Sequence, residues 1–313
     1  MSSEVIGQPR TPPRQRPAGP RFGEVASFST KGYHRIAYTE WGAPDAPRIA
    51  VCAHGLTRQG RDFDPLALAL AQRGYRVLCP DLAGRGRSQW LADPADYDLP
   101  QYTRDMVVLL ARAGAQEVDW VGSSLGGLIG IQLASQPKTP IRRMVINDVG
   151  PFLPSQALSR LGRYLWSMPK SFANFHAAEA YFREILAPYG VLGDSEWYHL
   201  TAHSIRRDED GRFRLLIDPG VGRAIRPAMA YSMSMWRQWD ALRCPVLILR
   251  GQYSDMLTAD LAKEMLARGP ASRLIEFPDC GHAPALLNLR QIAPVVQWLT
   301  RNSDEEATRL PAA

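Results

Sequence analysis

Short apolar runs recur along the chain, and between them apolar positions return every three or four residues. Continuous apolar runs are typical of strands buried on both faces, whereas the longer period is typical of amphipathic helices. The runs are RIAVCAHG, YRVLCPD, EVDWVGS, IRRMVIND, PVLILRG and SRLIEFPDCGH. The predicted helices cover residues 64–72, 101–113, 124–135, 259–267 and 284–300. This alternation predicts an α/β fold, with a mostly parallel central sheet that has helices on both faces.

One long interval interrupts the alternation. Residues 150–242 contain no convincing run of the buried-strand type, but they contain aromatic-rich stretches with helical spacing, such as SRLGRYLWSMP and AAEAYFREILAPYG. A structureless loop of this length is improbable inside a compact domain. We therefore predict a helical cap over residues 150–242, inserted into a core formed by residues 23–149 and 243–302. At the start of that core, EVASFST and YHRIAYTEWG alternate in polarity as a β-hairpin does.

The ends of the chain differ from its body in composition. Residues 1–22 are rich in proline and arginine, which predicts a disordered basic tail, and residues 303–313 form a second predicted tail. The N-terminal tail holds four arginines against one glutamate, about half of the formal net charge of +6. Because no basic patch with interleaved aromatics occurs elsewhere, we expect no nucleic-acid partner. No apolar run is long enough to span a bilayer, so we expect no membrane association.

The four cysteines show no paired short spacing of the kind used by zinc or redox sites. Three of them lie in or beside predicted buried strands, where a reduced cysteine behaves as a small apolar residue. This usage favours a reducing, cytoplasmic setting.

A serine between glycines marks the junction of a predicted strand and a predicted helix. The stretch DWVGSSLGGLIG contains GSSLG at residues 122–126, which has the form G-x-S-x-G. In a tight strand-to-helix turn the backbone of the middle residue is strained, and its side chain is held clear of the sheet. The glycines leave room for neighbouring backbone, so the pattern predicts Ser124 as an exposed nucleophile.

A serine nucleophile needs a base that takes its proton and a carboxylate that orients the base. Asp255, in GQYSDML after the strand PVLILRG, and His282, in FPDCGHAP after the last strand, follow Ser124 in the order that strand-to-helix serine sites require. We therefore predict Ser124, Asp255 and His282 as the catalytic residues. Asp148, in INDVGP after the preceding strand, is the alternative acid, although it could instead shape the hinge into the cap.

An oxyanion hole is also required, and two backbone amides are candidates. The His54-Gly55 pair permits a sharp turn after which the amide of Leu56 can point at the nucleophile. The amide of Leu125, directly after Ser124, is the predicted partner. His54 itself is interpreted as a structural part of the turn.

These motifs together resemble the α/β-hydrolase family, specifically its capped bacterial serine-hydrolase branch. The resemblance rests on the HG loop, the segment DLAGRGRS at residues 81–88, the elbow GSSLGG and the late GH, and it extends from about Gly23 to Leu299. It implies an α/β-hydrolase fold in which a helical cap follows the sixth strand, at the position of the predicted insertion.

The same residues leave several functions open. A serine hydrolase that cleaves small or medium carboxylic esters, thioesters or lactones through an acyl-enzyme is the leading hypothesis. The alternatives are a hydrolase that cleaves carbon–carbon bonds in ring-fission products on the same triad, and a non-catalytic binding scaffold. Family members that are epoxide hydrolases or haloalkane dehalogenases use an aspartate nucleophile, which position 124 lacks. We expect a small-molecule ester as substrate and no metal or cofactor, and the sequence leaves the oligomeric state open.

Overall fold

The computed structural model describes residues 19–114, 116–224 and 231–301. Its main feature is an eight-stranded sheet in the order β1-β2-β4-β3-β5-β6-β11-β12. The first two strands form an antiparallel hairpin that joins β4, and the other five pairings are parallel. The strands of this sheet are β1 (Arg21–Ser29), β2 (Gly32–Trp41), β3 (Arg48–Ala53), β4 (Tyr75–Pro80), β5 (Val118–Ser123), β6 (Ile141–Asn147), β11 (Val246–Gly251) and β12 (Ser272–Phe277).

Helices cover both faces of the sheet because side chains alternate between the faces along each strand. Val51 and Trp120 lie in one buried cluster with residues of α2, α3 and α9, whereas Cys52 and Val121 lie in a second cluster with residues of α1 and α10. The central strands are therefore apolar on both sides, as the continuous apolar runs require. These helices are α1 (Asp64–Ala71), α2 (Leu99–Ala113), α3 (Leu125–Ala134), α9 (Ala259–Ala267) and α10 (Leu289–Thr300).

The interval between β6 and β11 is mostly helical, and two short two-stranded sheets accompany its helices. Part of it has its own buried cluster, which includes Phe172, Phe182 and Trp197. Its elements are β7 (Phe152–Leu153), α4 (Ser155–Trp166), α5 (Phe175–Ile185), α6 (Asp194–Ser204), β8 (Ile205–Arg207), β9 (Phe213–Leu215), α7 (Gly220–Ala224), β10 (Met233–Ser234) and α8 (Trp236–Ala241). These strands are two or three residues long, so no long apolar run reveals them in the sequence.

The α/β fold and its mostly parallel sheet agree with the sequence analysis, and each of the six predicted runs forms a strand of the sheet. Among the element boundaries that differ, two concern the site loop and the predicted tail. The last helix begins at Leu289 rather than at residue 284, because the chain from residue 278 to 287 forms the loop that carries His282. The first strand begins at Arg21, inside the segment predicted as a tail. The rest of that tail up to residue 18, and the predicted tail at 303–313, lie outside the described residues.

The four cysteines are buried and free of disulfides. Within the part of the chain that the structure describes, no helix combines the length and the apolar character that crossing a bilayer requires.

Candidate active site

Ser124 occupies a strained turn between β5 and α3. Its backbone has φ 49° and ψ −112°, a conformation that side-chain-bearing residues rarely adopt. The amide of Ser124 donates to the carbonyl of Asn147 at 2.9 Å, which ties the turn to the neighbouring strand. Close packing explains the flanking glycines: a Cβ on Gly122 would lie 2.3 Å from the carbonyl oxygen of Gly126, and one on Gly126 would lie 2.0 Å from that of Ala53.

His282 lies between Ser124 and a carboxylate. Its Nε2 is 3.0 Å from Oγ of Ser124, and its Nδ1 is 2.8 Å from Oδ2 of Asp148. An ionised carboxylate only accepts hydrogen bonds, so Nδ1–H donates to Asp148 and Nε2 is left to accept the hydroxyl proton of Ser124. This tautomer is the one that a general base at Nε2 requires.

Asp148 is fully buried, and its carboxylate takes part in three hydrogen bonds. The amide of Gly251 donates to Oδ1 at 2.8 Å, and the hydroxyl of Ser254 donates to Oδ2 at 2.6 Å beside the imidazole. The backbone of Asp148 has φ 58°, in the left-handed region that aspartate tolerates better than most residues. This conformation follows directly on the end of β6, which lies between the strands that lead to Ser124 and to Ser254.

The structure corrects the placement of Asp255 beside the imidazole. Asp255 is half exposed and forms an ion pair with Arg160 of α4, so its carboxylate is occupied elsewhere. Its neighbour Ser254, rather than Asp255, turns inward to Asp148. The position held as the alternative in the sequence, Asp148, is the one that contacts His282.

The peptide group between Gly55 and Leu56 contains the predicted oxyanion amide, and hydrogen bonds to its carbonyl oxygen hold it in place. The Gly55 carbonyl accepts from the amide of Arg58 at 3.1 Å and from Nδ1 of His54 at 2.7 Å. Nε2 of His54 accepts from the amide of Leu82 at 2.9 Å, so its proton must reside on Nδ1. Because carbonyl and N–H point in opposite directions across a trans peptide, these bonds set the direction of the Leu56 N–H. Burial lowers the pKa of His54 to about 3, which keeps the ring neutral.

The second predicted amide, that of Leu125, belongs to the first turn of α3. The first amides of a helix have no acceptor within the helix, and they favour negative charge at its N-terminus. The turn thus offers the Leu125 N–H next to the hydroxyl of Ser124.

A buried arginine that was not among the predicted site residues, Arg85, contacts the backbone of Leu56. Its side chain is completely buried, and its Nε donates to the carbonyl of Leu56 at 2.8 Å. Nη1 of Arg85 donates to the hydroxyl of Tyr102 at 2.7 Å. Arg85 lies in the segment DLAGRGRS, and Asp81 of that segment shapes the loop by accepting from the amides of Gly60 and Arg87.

A pocket of about 600 Å³ lies over Ser124 and His282. Residues of the β6–β11 interval form much of its wall, and residues of the central sheet's loops form the rest. The apolar part of the lining comes from Leu56, Leu161, Ile185, Leu186, Pro188, Ala283 and Met256, and the charged part comes from Arg58, Arg160, Asp255 and Asp279. This volume is typical of small-molecule sites.

One group of side chains among the described residues could in principle hold a metal ion. Asp64, His199 and His203 offer ligand atoms that all lie within 4.8 Å of one another. However, Nε of Arg61 donates to Asp64 at 2.6 Å, and Nε2 of His199 bonds the Arg61 carbonyl at 2.8 Å. Burial lowers the pKa of His203 to about 4. Asp64 and His199 therefore already bond to protein groups through these atoms. His176, the other histidine between β6 and β11, is not part of this cluster.

The fold and this geometry agree with a family assignment made by comparison. The model of the Alpha/beta hydrolase family matches residues 50–297, more than two thirds of the chain. The chain belongs to the α/β-hydrolase family. It is accordingly a hydrolase of the α/β-hydrolase type.

Relatives within the family cover almost the whole chain. A 3-hydroxybutyrate-oligomer hydrolase from Cupriavidus necator is 45% identical over 291 residues, which are 90% of this chain and 99% of the relative. A solved α/β hydrolase from Novosphingobium aromaticivorans is 32% identical with a TM-score of 0.78, and the match covers 90% of this chain and 99% of that one. A solved structure from Rickettsia typhi is 27% identical with a TM-score of 0.84, and the match covers 91% of this chain and 100% of that one.

Proposed function

We propose that this α/β hydrolase cleaves carboxylic esters through an acyl-enzyme on Ser124, and that its substrates are linear oligomers of 3-hydroxybutyrate. The observation that carries the chemistry is the hydrogen-bonded series from Ser124 through His282 to Asp148 at the base of the pocket. The observation that supports the substrate is the extent of the match to the Cupriavidus hydrolase, which spans 99% of that protein.

In the proposed reaction, Nε2 of His282 takes the hydroxyl proton as Oγ of Ser124 attacks the ester carbonyl. Asp148 keeps the other ring nitrogen protonated and stabilises the imidazolium that forms. The amides of Leu56 and Leu125 receive the oxyanion. Collapse of the tetrahedral intermediate expels the alcohol, which takes its proton from Nε2, and the acyl group stays on Ser124.

Deacylation repeats the sequence with water in place of the alcohol. His282 takes a proton from water, hydroxide adds to the acyl carbonyl, and Ser124 leaves with the proton returned by His282. The products are a carboxylic acid and an alcohol, which for a 3-hydroxybutyrate oligomer are both shorter hydroxy acids.

The pocket supports a short aliphatic ester. Its lining combines methyl-bearing side chains, among them Leu161, Ile185 and Met256, with the tyrosines Tyr164 and Tyr189. Such a surface suits a substrate of small branched apolar units joined by polar ester groups.

The direct test is incubation of the purified full-length protein with the linear dimer and trimer of 3-hydroxybutyrate, with the released monomer quantified by chromatography. We expect release by the wild-type protein and none above background by Ser124→Ala, whose fold is checked by circular dichroism. Hydrolysis of p-nitrophenyl butyrate and cleavage of a ring-fission dienone are measured in parallel. Turnover of p-nitrophenyl butyrate without turnover of the oligomers would support ester hydrolysis but contradict 3-hydroxybutyrate oligomers as the substrate. Turnover of the dienone alone would favour carbon–carbon bond cleavage.

A further inference from the structure

An ion pair lies at the border between the pocket and solvent. Arg160 of α4 and Asp255 of the loop after β11 both line the pocket that contains Ser124, and their side chains are each about half exposed. One partner belongs to the β6–β11 interval and the other follows the sheet, so the pair joins the two walls of the pocket.

Arg160 is the pocket arginine with a charge that a ligand can engage. The other arginine of the lining, Arg58, is buried and donates to both carboxylate oxygens of Asp62 at 2.6 and 2.9 Å. The second carboxylate of the lining, Asp279, pairs with Arg290 at 2.9 Å. A half-exposed ion pair such as Arg160–Asp255 contributes little net stability because water competes for both groups.

We propose that Arg160 binds the free carboxylate of the substrate, and that Asp255 holds the guanidinium in place until that carboxylate displaces it. This inference rests on the proposed function, because a linear oligomer of a hydroxy acid has one free carboxylate in addition to its esters. A guanidinium presents paired donors that match a carboxylate, so the two anions compete for one site on Arg160. The enzyme therefore selects acids over neutral esters of the same length.

Removal of the two partners has opposite effects if this is correct. Arg160→Gln removes the donor fork, so the free acid loses affinity. Asp255→Asn removes the competing anion and its repulsion of the substrate while it leaves the guanidinium in place, so the free acid gains affinity. An ion pair that only held the pocket walls together would give effects of the same sign for both variants, and those effects would extend to neutral substrates.

The test compares the linear 3-hydroxybutyrate dimer with its methyl ester, in which one methyl group removes the negative charge. Turnover is measured as cleavage of the internal ester alone, so that hydrolysis of the methyl ester is not counted. For the ratio of kcat/KM between the free acid and the methyl ester, we expect about a tenfold fall in Arg160→Gln and about a threefold rise in Asp255→Asn. Arg163 is an exposed arginine one turn further along α4 and outside the pocket lining, so Arg163→Gln controls for the loss of a positive charge. Asp260→Asn on α9 controls for the loss of a negative charge. Both controls should leave the ratio within about twofold.

The same comparison is made without turnover, by calorimetric measurement of Kd for the dimer and for its methyl ester in the Ser124→Ala background. The double variants Ser124→Ala/Arg160→Gln and Ser124→Ala/Asp255→Asn should shift the Kd of the dimer in opposite directions. If the wild-type protein fails to cleave the dimer but the Kd values shift as expected, the proposed substrate fails and carboxylate binding by Arg160 stands. An acid-to-ester ratio that does not change in Arg160→Gln, or that falls in both pocket variants, overturns the inference.

Discussion

The buried, neutral ring of His54 contributes to the stability of the protein and also holds the peptide that carries the Leu56 amide. Two substitutions separate its effect on stability from its effect on the position of this amide. Asparagine places a side-chain amide near the position of Nδ1, so His54→Asn can still donate to the Gly55 carbonyl. Glutamine places its polar group near Nε2, so His54→Gln can still bond the amide of Leu82 but loses the bond to Gly55. Both substitutions remove the titratable ring.

The pH dependence follows from the folded-state pKa of His54, which burial lowers from 6.5 to about 3. The ring is neutral in both states above pH 6.5, so its full contribution to stability is present there. Below pH 6.5 the unfolded chain binds a proton that the folded chain excludes, and the contribution is lost progressively as the pH falls towards 3. At pH 5 this loss amounts to about 2 kcal/mol.

The assay is urea denaturation of the wild-type protein and of both variants at pH 8 and pH 5. The stability advantage of the wild-type protein over each variant should shrink by about 2 kcal/mol between the two conditions. Buried Asp81, whose pKa burial raises to about 6, has the opposite pH dependence, but it is present in all three proteins and cancels in the comparison. For p-nitrophenyl butyrate at pH 8, kcat of His54→Gln should fall about tenfold below that of His54→Asn, because an oxyanion donor is misdirected. Equal advantages at both pH values, or equal kcat in the two variants, would refute the reasoning.

Two further substitutions test the packing of the turn and of the hairpin. Gly126→Ala should lower the free energy of unfolding by about 3 kcal/mol in urea titrations, because its Cβ would lie 2.0 Å from the Ala53 carbonyl oxygen. Gly55→Ala is the control, since its Cβ would have its nearest contact at 3.5 Å, and it should cost less than about 1 kcal/mol. Similar losses in the two variants would contradict the packing argument. Asp105→Ala should lower the free energy of unfolding by about 3 kcal/mol or more in the same titrations, because the buried carboxylate accepts from Ser27 and His34 of the hairpin. Asp260 is exposed, so Asp260→Ala is the control and should change the free energy by no more than about 0.5 kcal/mol.

The sheet could be predicted from the sequence because its central strands are buried on both faces. The strand Val246–Gly251, with the sequence VLILRG, is apolar at four successive positions and buried throughout, and that signal is local. The turn at Ser124 was equally accessible, since the glycines around it record a close approach of backbone that only small residues allow.

The carboxylate partner of His282 could not be fixed in the same way. Asp148 and Asp255 each follow a parallel strand, so both were compatible with the same edge of the sheet. What separates them is the direction of two short loops: Asp148 turns inward through a positive φ, and the loop after β11 points Ser254 inward and Asp255 outward. Such directions depend on tertiary contacts that leave no periodic trace in the sequence. Arg85 escaped for a related reason, because burial of an arginine is decided by partners that are distant in the chain.

The most direct test of the central claim is rapid-mixing measurement of the p-nitrophenol burst from p-nitrophenyl butyrate, which reports acylation of the protein. The wild-type protein should release one equivalent per chain in the burst, and Ser124→Ala should release none. Asp148→Asn should acylate about 10⁴-fold more slowly than the wild-type protein, because the imidazole loses the tautomer that Asp148 imposes, while Asp255→Asn should stay within about tenfold. A burst in Ser124→Ala, or slow acylation in Asp255→Asn together with fast acylation in Asp148→Asn, would contradict the account.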